Sequence, residues 1–312
     1  MVAWSGGLDS TVLLHLLRRA RRLPRARLEL RAIHVDHGLQ PAAAGFRAFC
    51  ARMARQWKLP LELVEARVER ARGASLEEAA REARRAALAA ALAPGELLVT
   101  AQHADDQLET LLLALLRGAG PAGLAAMPAA MPFAGTRLLR PLLDFARDEL
   151  AAYARAQRLA WIDDPTNDEP RFDRNYLRAR VLPLLRSRWP AIARTAARSA
   201  RHCAVAAQAL QAAGARDVAL AADGADLEIA VLRRWSPARR AAALRAWIQA
   251  AGARAPNERH VREIEAMLAA RADAHPQLRL PGATLRRHGG RLQIEVAAAS
   301  PAAAVAGRAP IC

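Results

Sequence analysis

Residues 4–10 read Trp-Ser-Gly-Gly-Leu-Asp-Ser and run straight into the helical pattern Thr11 to Leu17. Gly6 and Gly7 carry no Cβ, so the backbone there can take positive φ and turn successive N–H groups toward an anion. The helix that follows presents its positive end to the same point. Ser5 and Ser10 add hydroxyl donors, Leu8 opens the apolar run, and Asp9 can cap the helix or hold a magnesium ion. The spacing is not that of the lysine-bearing P-loop, G-x-x-x-x-G-K-[ST]. Turn and N-cap chemistry alone would also use these residues, so the loop by itself leaves phosphate binding and a plain turn as equal readings.

A second polar cluster is Thr100-Ala101-Gln102-His103-Ala104-Asp105-Asp106-Gln107-Leu108-Glu109-Thr110. Acids in a first helical turn are stabilised by the macrodipole, which accounts for one or two of them. It does not account for His103 together with three carboxylates. Asp105 and Asp106 lie four and three residues before Glu109, so they share a helix face with it. A magnesium ion held by Asp9, Asp106 and Glu109 against a bound phosphate is the functional reading. A third cluster, His34-Val35-Asp36-His37-Gly38, ends an apolar run. Alternation puts His34 and Asp36 on one side of a strand. Zinc is one use for them, but with no convergent third or fourth ligand, orientation of the loop by hydrogen bonds is favoured. Arg81 and Arg84 could meet phosphates or form surface pairs such as Glu77 to Arg81. Gly118 to Leu124 is a glycine-rich helix exit, either a cap or a substrate loop. Arg174 and Arg178, with Asn175 between them, form a basic helix face that could be solvated or could contact RNA.

These clusters need a scaffold. Apolar runs at Val2–Trp4, Leu28–Val35, Leu61–Glu65 and Leu97–Ala101 alternate with helical patterns at 10–22, 41–57, 75–93 and 106–117. That alternation predicts an α/β fold with a parallel sheet covered on both faces, and ligands at the carboxyl ends of its strands. Only three residues precede the loop, short for a strand, which leaves an upstream start or a frayed sheet edge open. The segment Asp163 to Pro170 reads as a loop, followed by a basic helix to Arg188. Ala-rich helices at 191–213, 237–251 and 257–271 and a hairpin about His288-Gly289-Gly290 define a second, mainly helical domain at 189–297. Residues 298–312 read as a disordered tail.

The chain has 312 residues and a formal charge of +17, with 47 Lys and Arg against 30 Asp and Glu. Such an excess predicts a polyanionic partner, nucleic acid above all. Lys58 is the single lysine; compositional bias explains arginine over lysine but not the shortage of acids. Cys50, Cys203 and Cys312 are isolated, which excludes a C-x-x-C pair and a disulfide framework and predicts a cytoplasmic, soluble protein without a membrane span.

The loop S-G-G-L-D-S resembles the pyrophosphate loop of enzymes that split ATP into AMP and pyrophosphate. In order with H-V-D-H-G, E-A-A-R-E-A-R, A-Q-H-A-D-D-Q-L-E-T, L-L-R-G-A-G-P-A-G-L, R-P-L-L, D-D-P-T-N-D and R-N-Y-L-R-A-R-V-L-P, it resembles the tRNA(Ile)-lysidine synthase family over residues 3 to about 190. The resemblance implies an adenine-nucleotide α-hydrolase-like domain at 1–188 that uses ATP and Mg2+. The family adenylates O2 of the wobble cytidine in the CAU anticodon of an isoleucine tRNA, then attaches the ε-amine of free L-lysine at C2. By the same resemblance, Ser5, Gly6, Gly7, Leu8, Asp9 and Ser10 bind the phosphates. Asp36, His37, Arg81, His103, Asp105 and Asp106 line the active site, with Asp36 or Asp106 as the general base. Arg117, Arg140, Arg174, Asn175 and Arg178 contact RNA or order loops. A homodimer is left open.

Gln102 stands where the family has histidine, and Arg85 where it usually has tyrosine. Some members carry a further C-terminal domain, whereas here a short tail follows, so a compact type and a truncated chain both stay open. Competing readings are tRNA sulfur transfer, which needs a reactive cysteine, an amidating synthetase, which needs an ammonia source, and a non-catalytic RNA-binding relative.

Overall fold

The computed structural model describes residues 1–25, 27–36, 43–66, 68, 76–163, 173–271, 274–296 and 309–310. His37 and the segment 164–172 lie outside them. The chain divides into two compact units, Met1–His202 with Ala302–Cys312, and Cys203–Pro301.

The first unit is built on β1 (Val2–Ala3), α1 (Leu8–Ala20), β2 (Ala32–Asp36), α2 (Ala43–Trp57), β3 (Leu61–Glu65), α3 (Leu76–Ala91), β4 (Leu98–Val99) and α4 (Ala104–Leu116). The short first strand is central rather than frayed at an edge: β1 pairs in parallel with β2 on one side and β4 on the other. Val2 and Trp4 are essentially inaccessible, at 0% and 1% exposure, as befits a strand enclosed in the middle of a parallel sheet. α1, α2 and α6 (Arg147–Ala156) cover one face, packing Val12, Leu14, Phe49, Met53 and Leu150 into one cluster with Val2 and Trp4. Ala87 and Leu88 of α3 cover the other, over Ile33, Val64, Leu98 and Leu138.

Several elements were not anticipated. After α5 (Pro121–Leu124), β5 (Ala130–Phe133) and β6 (Thr136–Leu139) form a hairpin; β6 extends the sheet in parallel beside β4 and β5 closes it antiparallel. Its turn, Ala134-Gly135, has φ of +46° and +77°, the mirror-image turn suited to hairpins, but without the Asn-Gly that would announce it. The basic helix is broken into α7 (Asp173–Tyr176), a π-helical turn (Leu177–Val181) and α8 (Leu182–Arg188). Pro183 has no N–H for the carbonyl of Ala179, and the Leu182 N–H reaches back to the Leu177 carbonyl.

α9 (Ile192–Ala221) crosses the unit boundary, which therefore falls at 202/203 rather than at 188/189. The physical reason is packing: Ala193 and Ala196 are buried in a cluster with Ala104, Leu108 and Leu182. The second unit continues with β7 (Ala222–Asp223), β8 (Asp226–Glu228), α10 (Ile229–Arg233), α11 (Pro237–Ala250) and α12 (Glu258–Ala269). β9 (Gln277–Leu280), β10 (Ala283–His288) and β11 (Arg291–Val296) follow. The expected hairpin is there, within a five-stranded antiparallel sheet ordered β7-β8-β11-β10-β9. Leu227, Leu232, Leu244, Ile248, Ile264, Leu285 and Leu292 are fully buried in its core. In the tail, β12 (Ala309–Pro310) pairs antiparallel with β3, where disorder was expected. Among the described residues no helix is long and apolar enough to cross a membrane.

Candidate active site at the phosphate loop

β1 has neighbours on either side that lead away in opposite directions, so the sheet order reverses there and the crevice opens beyond its carboxyl end. The loop at residues 5–7 turns into α1 at this point. Gly6 has φ +88°, and a Cβ on it would lie 3.1 Å from Cys50 Sγ and 3.4 Å from Phe49, so glycine is required for both conformation and space. The Ser10 hydroxyl donates to the Gly7 carbonyl (3.1 Å), and the Ser5 N–H donates to Ser10 Oγ (3.2 Å). The Gly7 N–H meets Ser5 Oγ at 3.3 Å, while the Ile162 N–H ties the loop from the far side through the Gly6 carbonyl (3.0 Å). The cradle is thus fixed by its own hydroxyls.

α4 begins beside it because β4 neighbours β1. His103, at its N-cap and 3% exposed, places Nε2 3.5 Å from Asp9 Oδ2 and 3.4 Å from Asp106 Oδ2, with Nδ1 3.6 Å from Asp105 Oδ2. Burial pulls the imidazole toward its neutral form, but the hydrogen bond to Asp9 and the charges of Asp106, Asp9 and Asp105 prevail, and its pKa is raised. Burial acts against ionisation of Asp9 too, yet His103, Arg147 and Arg178 bring its pKa down. Asp9 and His103 together favour a carboxylate–imidazolium pair.

The remaining acids meet arginines from later in the chain. Asp105 accepts from the Arg147 N–H at 2.7 Å and from the Arg186 guanidinium. Asp106 Oδ1 lies 3.2 Å from Arg178 Nη2, and its Oδ2 accepts from the His103 N–H. Glu109, 1% exposed, accepts from Arg174 Nε (2.7 Å) and Arg178 Nε (2.5 Å), one on each oxygen. Arg174 Nη2 also reaches Thr110 Oγ1 at 3.1 Å. Arg174 and Arg178 are therefore engaged by α4 rather than solvated, and Glu109 offers no free oxygen to a cation in this arrangement.

Asp36 ends β2 at the same sheet edge, half-buried, its carbonyl accepting from the Ala66 N–H (2.7 Å). His34 Nδ1 lies 3.0 Å from the Trp4 carbonyl and 3.7 Å from Cys50 Sγ, so its partners belong to the loop's support. Arg81, exposed on α3, stands near enough to depress the pKa of Arg140, behind the effect of burial. Arg140 donates to the Pro128 carbonyl, and Arg117 is exposed at the end of α4, 3.9 Å from Asp173. Asn175 sits half-buried in α7. Arg147, Arg186 and Gln107 were missed. Gln107 clasps Met127, donating to its carbonyl (2.7 Å) and accepting from its N–H (2.8 Å), and so pins the end of the glycine-rich segment. Gln102 accepts from Thr100 Oγ1 at 2.5 Å, and Arg85 lies over the Phe133 ring at 5.2 Å.

Of the groups a cation would use, Asp9 Oδ1 is buried and has no hydrogen-bond partner. An orphaned carboxylate oxygen beside a phosphate cradle suits Mg2+, which needs only one or two protein carboxylates when phosphates supply further ligands. Among the described residues no group of three or more His, Cys, Asp or Glu could hold a metal by itself.

Residues 1–185 match the model of the PP-loop domain, and residues 227–293 that of the TilS substrate binding domain. A tRNA(Ile)-lysidine synthase of Pseudomonas aeruginosa is 47% identical over 302 residues, covering 93% of this chain and 67% of the relative. The chain belongs to the tRNA(Ile)-lysidine synthase family. The synthase of Methylococcus capsulatus is 45% identical over 298 residues, 94% of this chain and 67% of its own. That of Yersinia pseudotuberculosis is 48% identical over 289 residues, and this chain spans 64% of its length. Among solved structures, the U34-tRNA thiolase NcsA from Methanococcus maripaludis with its [4Fe-4S] cluster aligns at a TM-score of 0.55 and 16% identity. The alignment covers 64% of this chain and 70% of that one, a likeness of fold alone.

Proposed function

We propose that the chain carries out the reaction for which its family is named, ligating L-lysine to the wobble cytidine of an isoleucine tRNA with a CAU anticodon at the expense of ATP. The observation that supports it is the meeting of the phosphate loop with the first turn of α4, joined through Asp9 and His103. Loop N–H groups and the α1 N-terminus would hold the phosphates. Mg2+, held by Asp9 with Asp106 nearby, would neutralise phosphate charge. Cytidine O2 attacks the α-phosphorus and pyrophosphate leaves; the lysine ε-nitrogen then attacks C2, loses a proton, and AMP departs with the oxygen. Asp36 and Asp106, at the carboxyl edge of the sheet, are the candidate acceptors of that proton. Burying ligand phosphates among His103, Arg147 and Arg178 places cations where negative charge accumulates.

The sulfur-transfer alternative finds no support at the loop. Cys50 is fully buried under Gly6, and burial pushes its thiol up to about 12, which makes it a packing residue. The test is release of labelled pyrophosphate from ATP with lysine and CAU-anticodon isoleucine tRNA, against the same tRNA with uridine at the wobble position. Turnover requiring both lysine and cytidine is the expected result; turnover indifferent to lysine would return the protein to the wider pyrophosphate-loop group.

A further inference from the structure

The end of α1 carries a charge cluster that the site does not use. Arg18, Arg19, Arg21, Arg22, Arg25 and Arg27 fall within ten residues, and the nearest following acid is Glu29. All but Arg18 are exposed. Arg18 is half-buried, its guanidinium 4.8 Å from the centre of the Trp57 ring. Arg19 reaches only the neutral Gln157 Oε1, at 3.3 Å, and among the described residues none of the six is paired with a carboxylate. This sets them apart from Arg31, Arg174, Arg178, Arg186 and Arg240, each of which meets an acid. Their repulsion is felt locally: after burial, Arg22 and Arg21 lower the pKa of Arg18, and Arg18, Arg19 and Arg22 lower that of His15.

The helix dipole accounts for Arg18 and Arg19, in the last turn of α1. It gives nothing to Arg25 and Arg27, well beyond the helix end. Arg19 and Arg22, with Ala20 and Leu23, line an open cleft of about 550 Å³. Thirteen helical residues, about 20 Å, separate this end of α1 from the phosphate loop. A folded RNA spans that distance.

We propose that this arginine cluster is a second contact for the substrate RNA, taking its phosphodiester backbone across Arg19, Arg22 and Arg25 while the reacting base lies at the phosphate loop. The inference rests on the reading of the substrate as a tRNA. A row of uncompensated guanidiniums suits phosphate oxygens, and such contacts give affinity and salt dependence without base specificity.

The test is the full chain with Arg19→Gln, Arg22→Gln and Arg25→Gln together, which removes the charges while keeping polar, unbranched side chains and, at Arg19 in α1, helix propensity. Binding of the isoleucine tRNA is measured from 50 to 300 mM KCl. Loss of three phosphate contacts predicts about a tenfold weaker Kd near 150 mM salt and a log–log salt slope shallower by roughly 2–3. Pyrophosphate release at saturating tRNA is expected to stay at the wild-type rate. An unchanged Kd and slope would overturn the proposal, as would a defect confined to binding of anionic phospholipid vesicles. If wild type binds the tRNA but shows no lysine-dependent turnover, the functional reading fails instead, and the binding comparison still decides the role of the cluster.

Discussion

His103 Nε2 stands 3.5 Å from Asp9 Oδ2 and so joins the first turns of two helices whose strands are neighbours in the sheet. Asp9 and His103 are 94 positions apart in the chain only because a β-α-β-α-β path lies between them; in space they are the two walls of one crevice.

His103 titrates above its ordinary 6.5, because the acids around it outweigh its burial. The raised native pKa means that its contribution to stability is fully present below about pH 6.5 and is lost as pH rises through the native value. Asp9 works in the opposite sense: its depressed pKa gives stability above its ordinary 3.8, lost as pH falls through the native value. Urea unfolding of wild type and His103→Asn between pH 5.5 and 9 is expected to show a gap that narrows toward high pH. A constant gap would sink the pairing.

Glu109→Gln leaves Arg174 and Arg178 facing a neutral amide in a buried position. Breaking a buried ion pair by removing one partner costs on the order of 3 kcal/mol, so denaturant midpoints should fall clearly. Arg174→Gln alone should cost less, since Arg178 still pairs with Glu109 and with Asp106.

Gly6→Ala brings a Cβ to 3.1 Å from Cys50 Sγ at a backbone φ of +88°. Left-handed strain of about 1–2 kcal/mol is expected, together with a KM for ATP raised at least tenfold. Gly6→Ala with Cys50→Ala relieves the crowding but not the φ, so it should recover stability only in part; full recovery of both would show that the conformation is not required.

Gly214→Ala sets helix propensity against packing. In a free helix the change stabilises by about 1 kcal/mol. Here the new Cβ would lie 2.5 Å from the Ala242 carbonyl oxygen and 3.0 Å from Ala246 Cβ, so α9 and α11 must separate. A net loss of about 1–3 kcal/mol is expected in thermal or urea unfolding of the full chain, and a stabilised variant would contradict the close approach.

The strand–helix alternation and the phosphate loop were legible because period-2 and period-3.6 patterns and paired glycines are local properties. The β5–β6 hairpin was not, since Ala134-Gly135 lacks the usual turn residues and Pro132 interrupts the strand pattern at a sheet edge. The acids of α4 could be placed on one face from spacing alone, but their partners could not. Arg174 and Arg178 return to Glu109 only through the tertiary fold, and a charged face read from sequence looks solvated until its counterpart is in place. Arg147 contributes through its backbone N–H, which no side-chain motif records.

Cys50 gives the loop a built-in clock. Its sulfur is sealed beneath Gly6 and has no access to reagent while the loop is seated. Alkylation of that thiol would therefore count openings of the structure beneath the loop. A ligand that grips the loop would slow the labelling, and the ratio of rates with and without it would measure how much the bound nucleotide tightens its own seat.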